Sequence, residues 1–114
     1  MPLSTATVWI LDGNDASILN NMFYNAAKFN GDINHWDVSN ITSMISMFYG
    51  NTIFNKSLNN WNVSSVTNMD YMFNSNSVFS QNLTSWSVNP QVIACTGFNN
   101  GSWTQIPAFA NCTP

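Results

Sequence analysis

Charge is what this sequence lacks most. Two lysines (Lys28, Lys56) and five aspartates are its only charged side chains, beside one histidine, His35, and no arginine or glutamate. Phosphate backbones are held by clustered Lys and Arg, so nucleic acid is excluded as a partner. Only 6% of residues are charged, against about a quarter in ordinary soluble domains, so amides and hydroxyls must solvate the surface. Cysteine is equally scarce. Cys95 and Cys112 stand alone, wrongly spaced for a CxxC metal site and without a histidine pair. No nucleophile–base pair, phosphate loop or metal cluster is visible, so neither an enzyme nor a cofactor is expected. Asp32, Asp37 and Asp70 each occur in one copy at non-equivalent sites, which argues against a paired-carboxylate hydrolase. No run approaches the ~20 apolar residues of a membrane span; the longest near the start is Val8-Trp9-Ile10-Leu11. The start also lacks the basic and apolar regions of a secretory signal, so an extracellular role implies a processed form, a piece of a longer protein, or another export route.

What is present is periodicity. Three copies 25 residues apart run over 22–46, 47–71 and 72–96. The aligned columns are Met22/Met47/Met72, Phe23/Phe48/Phe73, Phe29/Phe54/Phe79, Trp36/Trp61/Trp86 and Val38/Val63/Val88. The register reads without a gap, and Phe98 keeps phase with Phe73. Residues 1–21 form a degenerate first repeat, in which Val8 aligns with Ile33 and Leu11 with Trp36, and 97–114 form a cap. The whole, 1–114, is one domain. One such unit cannot bury its own apolar face, so stacked units share a core.

Within a unit, Asn14, Ser39, Ser64 and Asn89 occupy one column and are good helix N-caps, the last followed by Pro90. Ile41, Met44 and Phe48, like Val66, Met69 and Phe73, then fall at helical spacing, with Asn25, Gly50 and Ser75 ending the helix. Residues 33–38, 58–63 and 83–88 read as short strands, and Asn30, Asn55 and Ser80 as a turn ladder. The expected fold is an α/β repeat solenoid, leucine-rich-repeat-like, with one short strand and one short helix per 25-residue turn. Its C-terminal cap is stapled by a Cys95–Cys112 disulfide, a loop closure worth roughly 3 kcal/mol; two buried thiols are the alternative.

The pattern M-F-x5-F-N-x2-[IL]-x2-W-[DN]-V-S-x-[IV]-T-x-M, in residues 22–44 and 47–69, resembles the BspA-like leucine-rich-repeat surface proteins, the mycoplasma-lipoprotein type of repeat. The resemblance covers about residues 16–94. It implies a secreted or surface-displayed protein used in adhesion or coating, with no catalytic residues to carry over.

Six N-x-S/T triplets are candidate N-glycosylation sites: Asn62, Asn82, Asn100 and Asn111, with Asn40 and Asn55 ranked below them. Among 20 asparagines, chance alone supplies roughly four such triplets. Trp36, Trp61 and Trp86 fit a core ladder better than a sugar-stacking platform. His35 lacks a catalytic partner. Asp12-Gly13-Asn14-Asp15 lacks the later ligands of a calcium loop, and Thr42 with Thr67 is too short a rank for an ice-binding face.

Two functions fit. The first is a structural self-assembling module, forming a homo-oligomer or filament in a fibre, coat or virion decoration, with Val8, Trp9, Ile10 and Leu11 as an assembly contact. The second is a monomeric adhesion module for a host protein or glycan. Either is placed outside the cell or on the surface of a cell or virion.

Overall fold

The computed structural model describes residues 17–114. The expected elements are not what forms. Among the described residues there is no helix, and parallel pairing is confined to single bridges, Ile18 to Ser43, Ser43 to Asn68 and Asn68 to Ala94. The α/β, leucine-rich-repeat-like solenoid is therefore corrected: among the described residues no repeating helix or strand is present, and irregular coils lie side by side instead. Four rung segments, 18–25, 43–50, 68–75 and 94–101, carry the contacts between coils.

The missing helix has a backbone cause. In a helix the N–H groups donate to the carbonyl four residues back. Here they alternate between two acceptors. The amides of Leu19, Asn21, Phe23 and Asn25 donate to the carbonyls of Ser43, Ile45, Met47 and Tyr49 at 2.7–2.9 Å, whereas those of Met22, Tyr24 and Ala26 close turns onto the residue three back. Met44, Ser46, Phe48 and Gly50 repeat the pattern onto Asn68, Asp70, Met72 and Asn74. Left-handed residues make the alternation possible: Asn21, Ser46, Tyr71 and Gly97 lie at φ 54–63°, and Asn25, Gly50, Ser75 and Gly101 at φ 51–90°. The first column falls inside the predicted helices and breaks them. In the second, a Cβ at Gly50 would lie 1.9 Å from the Asn25 side-chain oxygen, so any larger residue there would have to displace the Asn25 side chain.

The expected strands are corners. Trp36, Trp61 and Trp86 donate backbone N–H to Ile33, Leu58 and Leu83, and Ile41, Val66 and Val92 to Val38, Val63 and Asn89, so two tight turns follow one another. Their central residues, Asn34-His35, Asn59-Asn60 and Thr84-Ser85, are of types that favour turns. Ser39, expected as an N-cap, donates its N–H and hydroxyl to the Asp37 carboxylate in a local turn instead.

The register does slip once. The bridges advance by 25 residues and then by 26, from Asn68 to Ala94. Trp86 keeps the tryptophan column, but Asn89 takes the place of Val38 and Val63, so the extra residue lies between Trp86 and Asn89. Val88 consequently leaves its column and is only partly buried. Phe98 is displaced too. Phe73 donates to its carbonyl as Phe48 does to Met72, which puts Phe98 in the methionine column, and its ring meets Phe73 at 78° instead of stacking.

Apolar columns fill the interior. Phe23, Phe48 and Phe73 stack at centroid spacings of 5.5 and 5.2 Å, and Phe29, Phe54 and Phe79 at 5.7 and 5.9 Å beside them. The Met and Phe columns are buried apart from Met22 and Phe29, which are partly covered, and Val38 and Val63 are buried. Each later tryptophan also clamps the coil before it: the indole N–H donates from Trp61 to the Ile33 carbonyl and from Trp86 to that of Leu58, both at 2.9 Å. At the far end Trp103 donates its indole N–H to Gln81 and packs on Phe73 and Phe79, Phe109 meets Phe98, and Leu83 donates to Gln105. A Cys95–Cys112 disulfide ties this tail to the last rung.

Candidate functional site

Charged side chains gather in one depression of about 380 Å³, lined by Asp32, Asn34, His35, Lys56, Ser57 and Asn60. The corner turns put them there. Asn34-His35 and Asn59-Asn60 are the middle residues of turns closed by buried Trp36 and Trp61, so their side chains project outward on adjacent coils. A polar ladder fixes the floor: the Asn34 amide donates to the Asn59 side chain at 3.2 Å, the Asn60 N–H donates to the Asn34 side-chain oxygen at 3.0 Å, and the Asp32 carboxylate accepts from the Asn34 N–H at 3.2 Å. His35 is thus brought beside Asp32 and Lys56, a grouping that adjacency in sequence does not show. The site offers one carboxylate, one imidazole and one ammonium among amides, suited to hydrogen bonding a polar ligand. Among the described residues no three His, Cys, Asp or Glu side chains are grouped to hold a metal ion.

Asp37 lies outside this depression. The hydroxyl and then the backbone N–H of Ser39 hold its carboxyl below the ordinary carboxylate range, because both donate to the charged form.

The six triplets separate by their surroundings. Asn62 and Asn82 are exposed, and in each the side-chain oxygen accepts from the N–H and hydroxyl two residues on, Ser64 and Thr84. Asn40 is exposed as well. Asn111 is exposed but gives its amide to the Pro90 carbonyl. Asn55 sits inside the Asn30/Asn55/Ser80 ladder, accepting from Ser80 and Gln81. Asn100 is fully engaged: its amide donates to the carbonyls of Asn76 and Phe79, and its oxygen accepts from the N–H groups of Ser102 and Trp103.

That bonding exposes a column the sequence reading missed. Asn51 and Asn76 are wholly buried and do the same work, each donating to the carbonyl of the preceding coil's phenylalanine, Phe29 or Phe54, and accepting from two amides of its own coil. Their 25-residue spacing was the available signal. The tryptophans offer no sugar platform, since Trp36, Trp61 and Trp86 are 3–5% exposed. Val8, Trp9, Ile10 and Leu11, the Asp12–Asp15 loop and the degenerate first repeat up to residue 16 lie outside the described residues.

The family model described as "Mycoplasma protein of unknown function, DUF285" matches residues 8–105. The chain belongs to that family. The DUF285 match takes in all the stacked coils and ends inside the tail, before Cys112, so one half of the disulfide stands beyond it. No curated protein and no solved structure matches the chain. Among the described residues no helix is long and apolar enough to cross a membrane.

Proposed function

We propose that this DUF285 chain is a non-enzymatic extracellular surface protein that works as a structural self-assembling module of a fibre, coat or virion decoration. The carrying observation is the character of its outer face. Ladders of Asn, Ser and Thr cover the coils where other proteins place charge, and Ile18, Tyr24, Ile53, Tyr71, Val78 and Ile93 stand 38–76% exposed among them. Intermixed Lys, Arg, Asp and Glu are what keep ordinary surfaces apart, and a chain with 6% charged residues has little of that protection. The disulfide fits an oxidising compartment, and the likeness to BspA-like surface proteins supports the same location.

The alternative is a monomeric adhesion module binding a host protein or glycan. It is favoured by the depression that joins Asp32, His35 and Lys56. Light scattering and negative-stain imaging of the non-reduced protein separate the two. Regular particles or filaments are expected; a monomer at all concentrations would overturn assembly and direct attention to the depression.

A further inference from the structure

Within the rung segments the backbone hydrogen bonds between coils run one way, while the Thr42 and Thr67 amides just before them donate back to the carbonyls of Ser17 and Thr42. Rung amides donate forward to carbonyls of the following coil: Asn21, Ser46 and Tyr71 to Ile45, Asp70 and Thr96, and Phe23, Phe48 and Phe73 to Met47, Met72 and Phe98. A directional ladder has two unlike ends. At the first described rung, no described group donates to the carbonyl of Asn20 or Met22, the counterparts of those acceptors. At the last rung, the N–H groups of Gly97 and Asn99, counterparts of those donors, have no acceptor among the described residues. Gly97 matches Tyr71 in conformation as well as in position, since both are left-handed at φ near 60°. The tail covers the end of the core through Trp103 and Phe109 but takes neither of these amides.

Open edges with free amides and carbonyls are templates for pairing, and proteins guard them with lysine, other charges or proline. Neither edge is guarded: segments 18–25 and 94–101 contain no charged residue and no proline. Exposed Ile18 and Tyr24 flank the acceptor edge, where a shallow depression is lined by Asn21 and Tyr24. A second copy of the chain matches both edges, because donors and acceptors then carry the spacing already used inside one molecule.

We propose that copies join head to tail by continuing this ladder, with the N–H groups of Gly97 and Asn99 of one copy donating to the carbonyls of Asn20 and Met22 of the next. The proposal rests on the self-assembly proposed above and names its contact. Unlike edges make the contact heterologous, so association is open-ended unless it closes into a ring.

Sedimentation velocity on the full, disulfide-bonded chain tests it with three variants. Ile18→Lys combined with Tyr24→Lys charges the acceptor edge. Asn99→Pro removes a donor, and Thr96→Lys charges the donor edge without altering the backbone. Wild type is expected to polymerise with rising concentration, while each edge variant alone associates at least tenfold more weakly. A one-to-one mixture of an acceptor-edge and a donor-edge variant is expected to form dimers and stop there. If every variant polymerises as wild type does, this contact is wrong while assembly stands through another surface. If wild type itself stays monomeric at all concentrations, both fall.

Discussion

Replacing Asn76 by Ala should cost about 3 kcal/mol, although Asn76 touches nothing outside the protein. Its side-chain oxygen accepts from the N–H groups of Phe79 at 3.0 Å and Val78 at 3.2 Å, and its amide donates to the Phe54 carbonyl at 3.4 Å. Alanine removes all three bonds at once. Val78 is 38% exposed, so its amide turns to water at little cost. Phe54 and Phe79 are buried at 0% and 1% exposure, so an amide and a carbonyl lose their partner where water does not reach. A buried group left unsatisfied costs about 1–3 kcal/mol; the long amide bond to Phe54 contributes the lesser share, which places the sum near 3 kcal/mol. For a urea slope of about 1.5 kcal/mol/M, the unfolding midpoint should fall by about 2 M. Asn99→Ala is the control, since that side chain makes no described hydrogen bond, and should change stability by less than about 0.5 kcal/mol. Equilibrium urea unfolding under oxidising conditions reads both. A loss below about 1 kcal/mol for Asn76→Ala would refute the claim that buried asparagines tie the coils together.

Trp61→Phe keeps an aromatic ring in the column but removes one of the two hydrogen bonds to the buried Ile33 carbonyl, which keeps the Trp36 N–H, so urea unfolding should show a loss of about 0.5–1.5 kcal/mol. Reducing Cys95–Cys112, a closure of 17 residues, should lower stability by about 3 kcal/mol, measured as the shift in thermal or urea midpoint with and without reductant. Asp37 should titrate below the ordinary carboxylate range by NMR, and Ser39→Ala should raise its midpoint. Because the folded value is the depressed one, its stabilisation is present above the unfolded carboxylate pKa of about 3.9 and is lost as pH falls through the folded value. Expressed in a glycosylating host, the chain should carry glycans at Asn62 and Asn82 and none at Asn100, whose amide is held by two carbonyls; peptide mass spectrometry locates them, and a modified Asn100 in folded protein would contradict its bonding.

Large side chains at a fixed period were legible in the sequence. Phe48, Phe54, Trp61 and Val63 recur at a constant spacing, and volume of that kind is tolerated only inside a core, so these burials follow from the pattern alone. The backbone between them was not legible. Ile41, Met44 and Phe48 sit at helical spacing, but turns that close every three residues bring the same side chains to one face, and periodicity does not tell the two apart. What separates them is the left-handed conformation of Ser46 and Tyr71, neither of which is a residue type that announces it. The corners hid behind tryptophan and valine, whose strand preference outweighed the turn signals of Asn34-His35 and Asn59-Asn60. The extra residue before Asn89 was masked because Phe98 falls in the gap-free phase of Phe73, although the chain places it in the methionine column. In the candidate site the asparagines misled in both directions. Asn51 and Asn76 drew no notice because polar columns are seldom buried, and Asn100 drew attention as a glycan acceptor when its amide and oxygen are committed to the fold.

Backbone amide exchange, followed by NMR in dilute and in concentrated protein, tests the account most directly. In the monomer, the amides of Met44, Ser46, Phe48 and Gly50 should be protected by bonds to the following coil, while Gly97 and Asn99 exchange freely. On assembly Gly97 and Asn99 should become protected with no new protection elsewhere in the rungs. Loss of Ser46 and Phe48 protection on changes confined to their own coil, with none on disrupting residues 68–75, would contradict the stacked coils; Gly97 and Asn99 amides that exchange equally fast in monomer and polymer would contradict the ladder that joins one copy to the next.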